Sequence, residues 1–238
     1  MRRFFAPVEN FNQQKISLSV EESKHLRDVL RLIEGAKVKV FDGAGKEFLC
    51  AVEKIEKKTT VLKIISETAP TAPESTLNLT MAVALLKGEK FDLIVQKAVE
   101  LGVTKLVPLD TKRADVKLKD TEKRVERWRK IALEAAKQSG RAKLMLVEQT
   151  INFEKFNETA GGTRILFAER GGASFSEIET SGKITAVIGS EGGWETAEIE
   201  TARENGFEVI TFGSRILRAE TAAIVVAAIL QNRFGDLC

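Results

Sequence analysis

The chain has 238 residues, 43% hydrophobic and 30% charged, with a net charge of +3, the composition of a globular protein with one large or two smaller domains. Its longest purely apolar run, residues 222–230, has nine residues, far short of the ~20 that span a bilayer, and no apolar leader with a cleavage site opens the chain, so a soluble cytoplasmic protein with no membrane partner is expected. Cys50 and Cys238 stand far apart without a CxxC pair, which fits a reducing compartment and offers no metal signature.

The N-terminal Met1-Arg-Arg-Phe-Phe5 sets two cations beside two rings. Ser19 and Glu22 read as a capping box for a helix over 19–32, closed by Gly35. Three β-rich runs follow at 37–42, 46–56 and 60–66, with Asp42-Gly-Ala-Gly45 as a hairpin turn. They predict a small β-barrel-like domain over 1–70. Residues 68–76 are polar and hold two prolines, which marks a boundary. Over 71–238 strand-like and helix-like segments alternate: strands at 77–86, 103–109, 144–148, 164–168, 184–188 and 208–212, helices at 90–101, 121–138, 195–205 and 220–233. Such alternation predicts an α/β domain with a largely parallel sheet.

Two late apolar runs break into glycine-rich loops that lead into helices: Ala186-Val-Ile-Gly-Ser-Glu-Gly-Gly-Trp194 and Val209-Ile-Thr-Phe-Gly-Ser-Arg-Ile-Leu-Arg-Ala-Glu-Thr-Ala-Ala223. Open α/β sheets bind ligands outside the carboxyl ends of their strands, and glycine there bares the backbone. Neither common nucleotide signature is present, since no Gly-Lys-Ser/Thr occurs and Gly43-Ala-Gly45 sits in a hairpin without a third glycine. The single histidine, His25, lies in the first helix, where packing or hydrogen bonding suits it better than nucleophilic catalysis. No metal-ligand set is visible, so no metal is expected.

Ile188-Gly-Ser-Glu-Gly-Gly193, Phe212-Gly-Ser-Arg-Ile-Leu-Arg-Ala-Glu-Thr-Ala222 and Gln96-Lys-Ala-Val-Glu-Leu-Gly-Val103 resemble the motifs of the RsmE family of the SPOUT superfamily. So do Arg3-Phe-Phe5, His25 with Val29-Leu-Arg31, and Arg127-Trp128 through Arg141. The resemblance implies a PUA-like domain followed by a SPOUT domain with a C-terminal trefoil knot, one of the rare exceptions to unknotted topology. It also implies a homodimer that methylates uridine N3 of 16S ribosomal RNA in the 30S subunit with S-adenosylmethionine. The apolar final helix fits burial on every side, within the monomer or against a second subunit.

A methyl donor needs its adenine held by backbone and apolar walls, and its sulfonium aimed at the acceptor. The resemblance implies that this pocket is lined by Phe167 together with Ile188, Gly189, Glu191, Gly192, Gly193, Phe212, Gly213, Ile216 and Leu217. Uracil N3 must lose a proton as the methyl arrives, and charge spreads onto the flanking oxygens, where a fixed cation helps. Arg218 is the first candidate and Arg215 the second; Glu191 or Glu220 accepts the proton or orients the base. In the bland alternative Glu220 is a first-turn carboxylate paired with Arg218.

Residues 111–143 carry twelve Lys/Arg against five Asp/Glu, and residues 151–238 carry 8 against 13, so a polyanion belongs with the earlier part. Lys123, Arg127 and Lys130 share a helical face with Arg124 beside them, suiting phosphate contact. Arg2, Arg3, Arg31, Arg141 and Arg215 extend this expected RNA surface. Two departures from the family pattern stand out: Ser190 replaces the usual proline and should loosen its loop, and Lys137 replaces an acidic residue near the expected pocket or RNA surface. The rivals are a SPOUT enzyme acting on another RNA position and a non-catalytic ribosome-assembly factor that binds RNA.

Overall fold

A computed structural model describes residues 1–116, 121–180 and 182–237. The chain forms two compact units, one of Met1–Glu74 with Ala136–Leu144, the other of Ser75–Ala135 with Met145–Cys238.

The first unit is a six-stranded sheet of β1 (Arg3–Phe5), β2 (Phe11–Asn12), β3 (Lys15–Ser17), β4 (Lys37–Phe41), β5 (Glu47–Ile55) and β6 (Thr60–Thr68) in the order β1-β4-β5-β6-β3-β2. Only the β1–β4 pairing is parallel. The alternation of strand residues drives Phe4, Ile16, Val38, Val40, Cys50, Val52 and Leu62 into one core. The expected hairpin forms because one Asp42 carboxylate oxygen accepts from the Ala44, Gly45 and Lys46 amides at 2.7, 3.0 and 3.0 Å.

The expected helix over 19–32 is cut short. Ser19 caps α1 (Val20–Lys24) by accepting from the Glu22 amide, but the Glu22 carboxylate turns to Lys137 instead of closing the capping box. The chain then widens into a π turn over His25–Val29 and leaves it through Arg31, whose φ is +51°. His25 is exposed and meets Phe4 edge-on. Gly35 is not a helix stop; its amide donates to the Val52 carbonyl.

The second unit holds a seven-stranded sheet in which every pairing is parallel. Its strands are β7 (Asn78–Ala84), β8 (Lys105–Asp110), β9 (Leu146–Val147), β10 (Ile151–Asn152), β11 (Thr163–Phe167), β12 (Lys183–Ile188) and β13 (Glu208–Ile210). The path runs β10-β8-β7-β12-β11-β13, with β9 beside β8. The helices are α2 (Lys90–Glu100), α3 (Thr121–Ser139), α4 (Phe153–Thr159), α5 (Thr196–Glu204) and α6 (Ala219–Phe234). Strand alternation sends Ala82, Val107, Leu166 and Val187 toward Phe153 and Phe156 of α4 and Ala202 of α5. Met81 faces the other way, against Ile94 and Ala98 of α2 and Ala223 and Ala227 of α6.

Sequence reading missed β10 and α4, although Asn152 caps α4 by accepting from the Lys155 amide. Within the single chain the final helix buries one side: Ala223, Val226, Ala227 and Leu230 are buried, whereas Ile224, Val225, Ala228 and Ile229 remain half-buried. No described helix is long and apolar enough to cross a membrane.

Candidate active site

Strands β11, β12 and β13 end at one edge of the sheet and release the chain into three loops, at 168–172, 189–194 and 211–218. Between them lies a cavity of about 260 Å³. Its floor and walls come from Phe167, Ile188, Gly189, Phe212, Ile216 and Leu217, with Ala219, Ala222 and Val226 of α6. Its polar groups are Glu169, Ser190, Glu191, Arg215 and Arg218. Apolar walls with a few convergent charged groups are what a small-molecule site needs.

Packing fixes this shape. The Phe167 and Phe212 rings stack with centroids 5.0 Å apart and planes at 20°, and Phe175 meets Phe212 edge-on at 5.1 Å. The buried Trp194 indole donates to the Phe167 carbonyl at 2.9 Å. A Cβ on Gly189 would lie only 3.0 Å from that indole, so the strand exit must be bare. Gly193 closes a turn by donating to the Ser190 carbonyl at 3.0 Å with φ +68°, a conformation that L side chains disfavour. A Cβ there would stand 2.4 Å from a Glu169 carboxylate oxygen.

The structure therefore gathers seven of the expected cofactor residues around the cavity: Phe167, Ile188, Gly189, Glu191, Phe212, Ile216 and Leu217. Gly192, Gly193 and Gly213 are not on its wall. The first two shape the turn, and Gly213, at φ +58°, faces open space. Arg218 lines the mouth with Glu191, and its side chain forms no ion pair or hydrogen bond with a described residue, so the Arg218–Glu220 pairing of the bland alternative is absent. Glu220 lies off the wall, in the first turn of α6, with one carboxylate oxygen buried and unpartnered. Arg215, expected among the RNA contacts, is on the cavity wall.

Two charged groups escaped sequence reading. Glu169 follows β11 directly, and its place at a parallel strand's carboxyl end was the available signal. Lys90 follows the glycine-bearing exit of β7 and donates to a Glu191 carboxylate oxygen at 2.8 Å. That hydrogen bond holds the Lys90 ammonium above its ordinary range; Glu220 adds to the effect and Arg218 opposes it. Lys90, Glu191, Arg218 and Glu220 thus share one electrostatic neighbourhood at the mouth.

The expected RNA cations divide by exposure. Lys123, Arg124 and Lys130 are exposed on α3 without ion pairs to described residues; Arg127 is exposed but bound to Asp92. Residues 117–120 of the basic block lie outside the described residues, as does Cys238. Arg2 and Arg31 are exposed. Arg3 and Arg141 are not. The Arg3 guanidinium is 9% exposed, pairs with the fully buried Glu47 at 3.0 Å and donates to the Ala136 and Arg141 carbonyls at 2.8 and 2.7 Å. Arg141 is buried against Glu74 at 2.6 Å. Both are internal fastenings of the first unit, where their charge is already matched.

The two departures from the family pattern also resolve. Ser190 is buried and its hydroxyl donates to the Arg113 carbonyl at 3.0 Å, so the loop is tied rather than loosened. Lys137 forms an ion pair with buried Glu22 within the first unit, so its charge is matched there.

Residues 73–231 match a family model described as an RNA methyltransferase domain, and residues 18–65 one described as an RNA methyltransferase PUA domain. A ribosomal RNA small subunit methyltransferase E from Synechocystis sp. is 33% identical over 234 residues, 95% of this chain and 76% of the relative. The crystal structure of such an enzyme from Neisseria gonorrhoeae, bound to S-adenosyl methionine, superposes with a TM-score of 0.92 at 33% identity over 100% of both chains. A Legionella pneumophila protein in complex with the cofactor SAM superposes at 0.91 and 31% identity, covering 99% of this chain and 98% of that one.

Proposed function

The chain belongs to the ribosomal RNA small subunit methyltransferase E family, and we propose that it transfers a methyl group from S-adenosylmethionine to N3 of a uridine in 16S ribosomal RNA of the 30S subunit, in the cytoplasm. The family's activity is S-adenosylmethionine-dependent methylation of ribosomal RNA. The observation that carries the proposal is the cavity at the carboxyl ends of β11, β12 and β13, with Arg218, which pairs with no described residue, on its wall.

The residues present fit the cofactor. Ile188, Ile216 and Leu217 offer apolar walls for an adenine, and Ile216 is 63% exposed, a large apolar surface that a bound ring would cover. The Glu169 and Glu191 carboxylates supply acceptors for an ammonium and for ribose hydroxyls. When bound, S-adenosylmethionine supplies an electron-poor methyl carbon on a sulfonium. The chain's own work is to place uracil N3 and to manage its proton and charge. Glu191 or Glu220 takes the N3 proton, and the Arg218 guanidinium donates to the uracil oxygen on which charge accumulates. Such a fixed donor needs no reorganisation when the charge appears. Lys90, by binding Glu191, limits where that carboxylate swings.

Lys123, Arg124, Arg127 and Lys130 of α3, with Arg2 and Arg31, contact RNA phosphates in this reading, and Arg215 acts between RNA and cofactor. The homodimer belongs to the same proposal, supported by the half-buried apolar stripe of Ile224, Val225, Ala228 and Ile229 on α6. So does the trefoil knot, supported by the family match and by a strand order that sets β13 on the far side of β11 from β12.

The test is transfer of labelled methyl from S-adenosylmethionine to unmodified 30S subunits and, separately, to naked 16S RNA, followed by nucleoside digestion. Label in 3-methyluridine, stronger on the particle, is the expected outcome. Label in another nucleoside refutes the target, and no label despite tight RNA binding supports the assembly-factor reading.

A further inference from the structure

A second cavity, of about 640 Å³, opens at the other edge of the same sheet, where the strands begin. Its floor is a polar row at one level of three neighbouring strands. Thr185 of β12 lies beside Thr80 of β7, and Thr80 beside Lys105 of β8; one step lower, Lys183 lies beside Asn78. Further along the same face the positions turn apolar, to Ala82, Val107, Leu109 and Val187. A sheet face covered by helices ordinarily stays apolar along its whole length, so the polarity of this lower half requires a reason beyond the core.

The polar groups are biased toward donors. Thr80 is 9% exposed and its hydroxyl bonds to no described residue, although it faces the cavity. Lys155 and Lys183 line the cavity and form no ion pair with a described residue. Lys105 carries a single contact to Glu148, at 3.3 Å. The side-chain oxygen of Asn78 accepts from Thr104 at 2.8 Å, which leaves its amide to donate. Glu148 is the one carboxylate among three ammonium groups. A threonine that merely filled space would be replaced by valine without loss, whereas this hydroxyl stands with Lys105, Lys155 and Lys183 on the wall of one cavity.

A donor-rich, net positive cleft selects an acceptor-rich anion, and this one is far larger than an inorganic ion requires. Val107, Ile151 and Phe156 form its apolar side, a surface that suits the flat face of a base. We propose that this cavity binds a phosphate-bearing ligand of nucleotide size, its phosphate held by Lys155, Lys183 and Thr80. The ligand is either a nucleotide unit of RNA or a free nucleotide. The site stands at the opposite edge of the sheet from the cofactor cavity and does not depend on the methyl-transfer reading.

The test titrates the full chain with uridine monophosphate, inorganic phosphate and a short single-stranded RNA, read by amide chemical shifts and calorimetry. Saturable binding that maps to β7, β8 and β12 is expected, weakened about tenfold or more in K155A/K183A, as loss of charge-assisted hydrogen bonds predicts. T80V, nearly isosteric and so expected to fold, should weaken it several-fold without changing its salt dependence. RNA binding tighter than the mononucleotide assigns the phosphate to RNA, and the reverse order assigns it to a free nucleotide. The proposal is overturned if no probe gives saturable shifts at these strands, or if both variants bind as tightly as the parent. Cofactor binding, measured in parallel, should be unchanged in both.

Discussion

Replacing Arg3 with alanine separates two roles that sequence alone leaves joined, a contact to RNA and a fastening inside the first unit. The guanidinium serves four partners at once: Glu47 at 3.0 Å, the Ala136 and Arg141 carbonyls at 2.8 and 2.7 Å, and the Phe41 ring at 4.0 Å. Glu47 is fully buried. After R3A it keeps hydrogen bonds from Thr71, at 2.6 Å to the amide, and a distant Lys39 at 3.7 Å, but loses its close cation. Removing one partner of a buried pair costs about 3–5 kcal/mol, because the remaining charge stays out of water. At roughly 4–8 °C per kcal/mol for a unit of this size, the melting point of the first unit should fall by roughly 20 °C. Both tryptophans, Trp128 and Trp194, belong to the second unit, so their fluorescence reports the wrong part. Labelling of the buried Cys50 thiol reports the right one. Faster Cys50 labelling and an early transition by far-ultraviolet circular dichroism are expected, while S-adenosylmethionine binding persists. An R3A protein with unchanged thiol protection and melting, but lost RNA affinity, would refute the reasoning and return Arg3 to the RNA surface.

R218A should lower kcat for methyl transfer about 10²–10³-fold, the usual effect of removing one preorganised donor, with cofactor affinity little changed by calorimetry; lost cofactor binding would make Arg218 a cofactor ligand instead. In K123A/R124A/K130A the slope of log K against log salt for single-stranded RNA should become shallower by about 2, at ~0.7 per phosphate contact, and an unchanged slope would leave α3 a solvated face. Burial pushes the Cys50 thiol from 9.0 up to about 12. The folded chain therefore holds that proton more tightly than the unfolded one, so the associated stability is intact below pH 9.0 and declines as pH rises toward about 12. Urea melts of the parent and C50A across that window should diverge, and parallel curves would show that the thiol is not desolvated.

The glycine-rich exits after β12 and β13 were visible because positive φ and close approach demand glycine, and such demands are local. Asp42 and the β4–β5 hairpin were legible for the same reason. Glu169 and Lys90 were not, since each joins the site through a strand or helix remote in sequence from the motifs. Arg3 and Arg141 read as RNA-facing cations, and Lys137 as a changed charge beside the pocket or RNA surface, because a sequence shows charge but not its partner: Glu47, Glu74 and Glu22 stand 44, 67 and 115 positions away.

What the amino-acid order by itself determined about this protein is what neighbours along the chain can enforce: helix and strand periodicity, the parallel α/β pattern, the capping of α1 by Ser19, and the two loops that bare their backbone. Tertiary structure alone decided which arginines reach solvent, where the π turn ends the first helix, how three strand exits converge on one cavity, and that a polar row at the opposite sheet edge forms a second. Burial and ion pairing are properties of surfaces brought together across the fold. Their energies depend on which groups lose water and which partners they meet, and neither is written in any one segment.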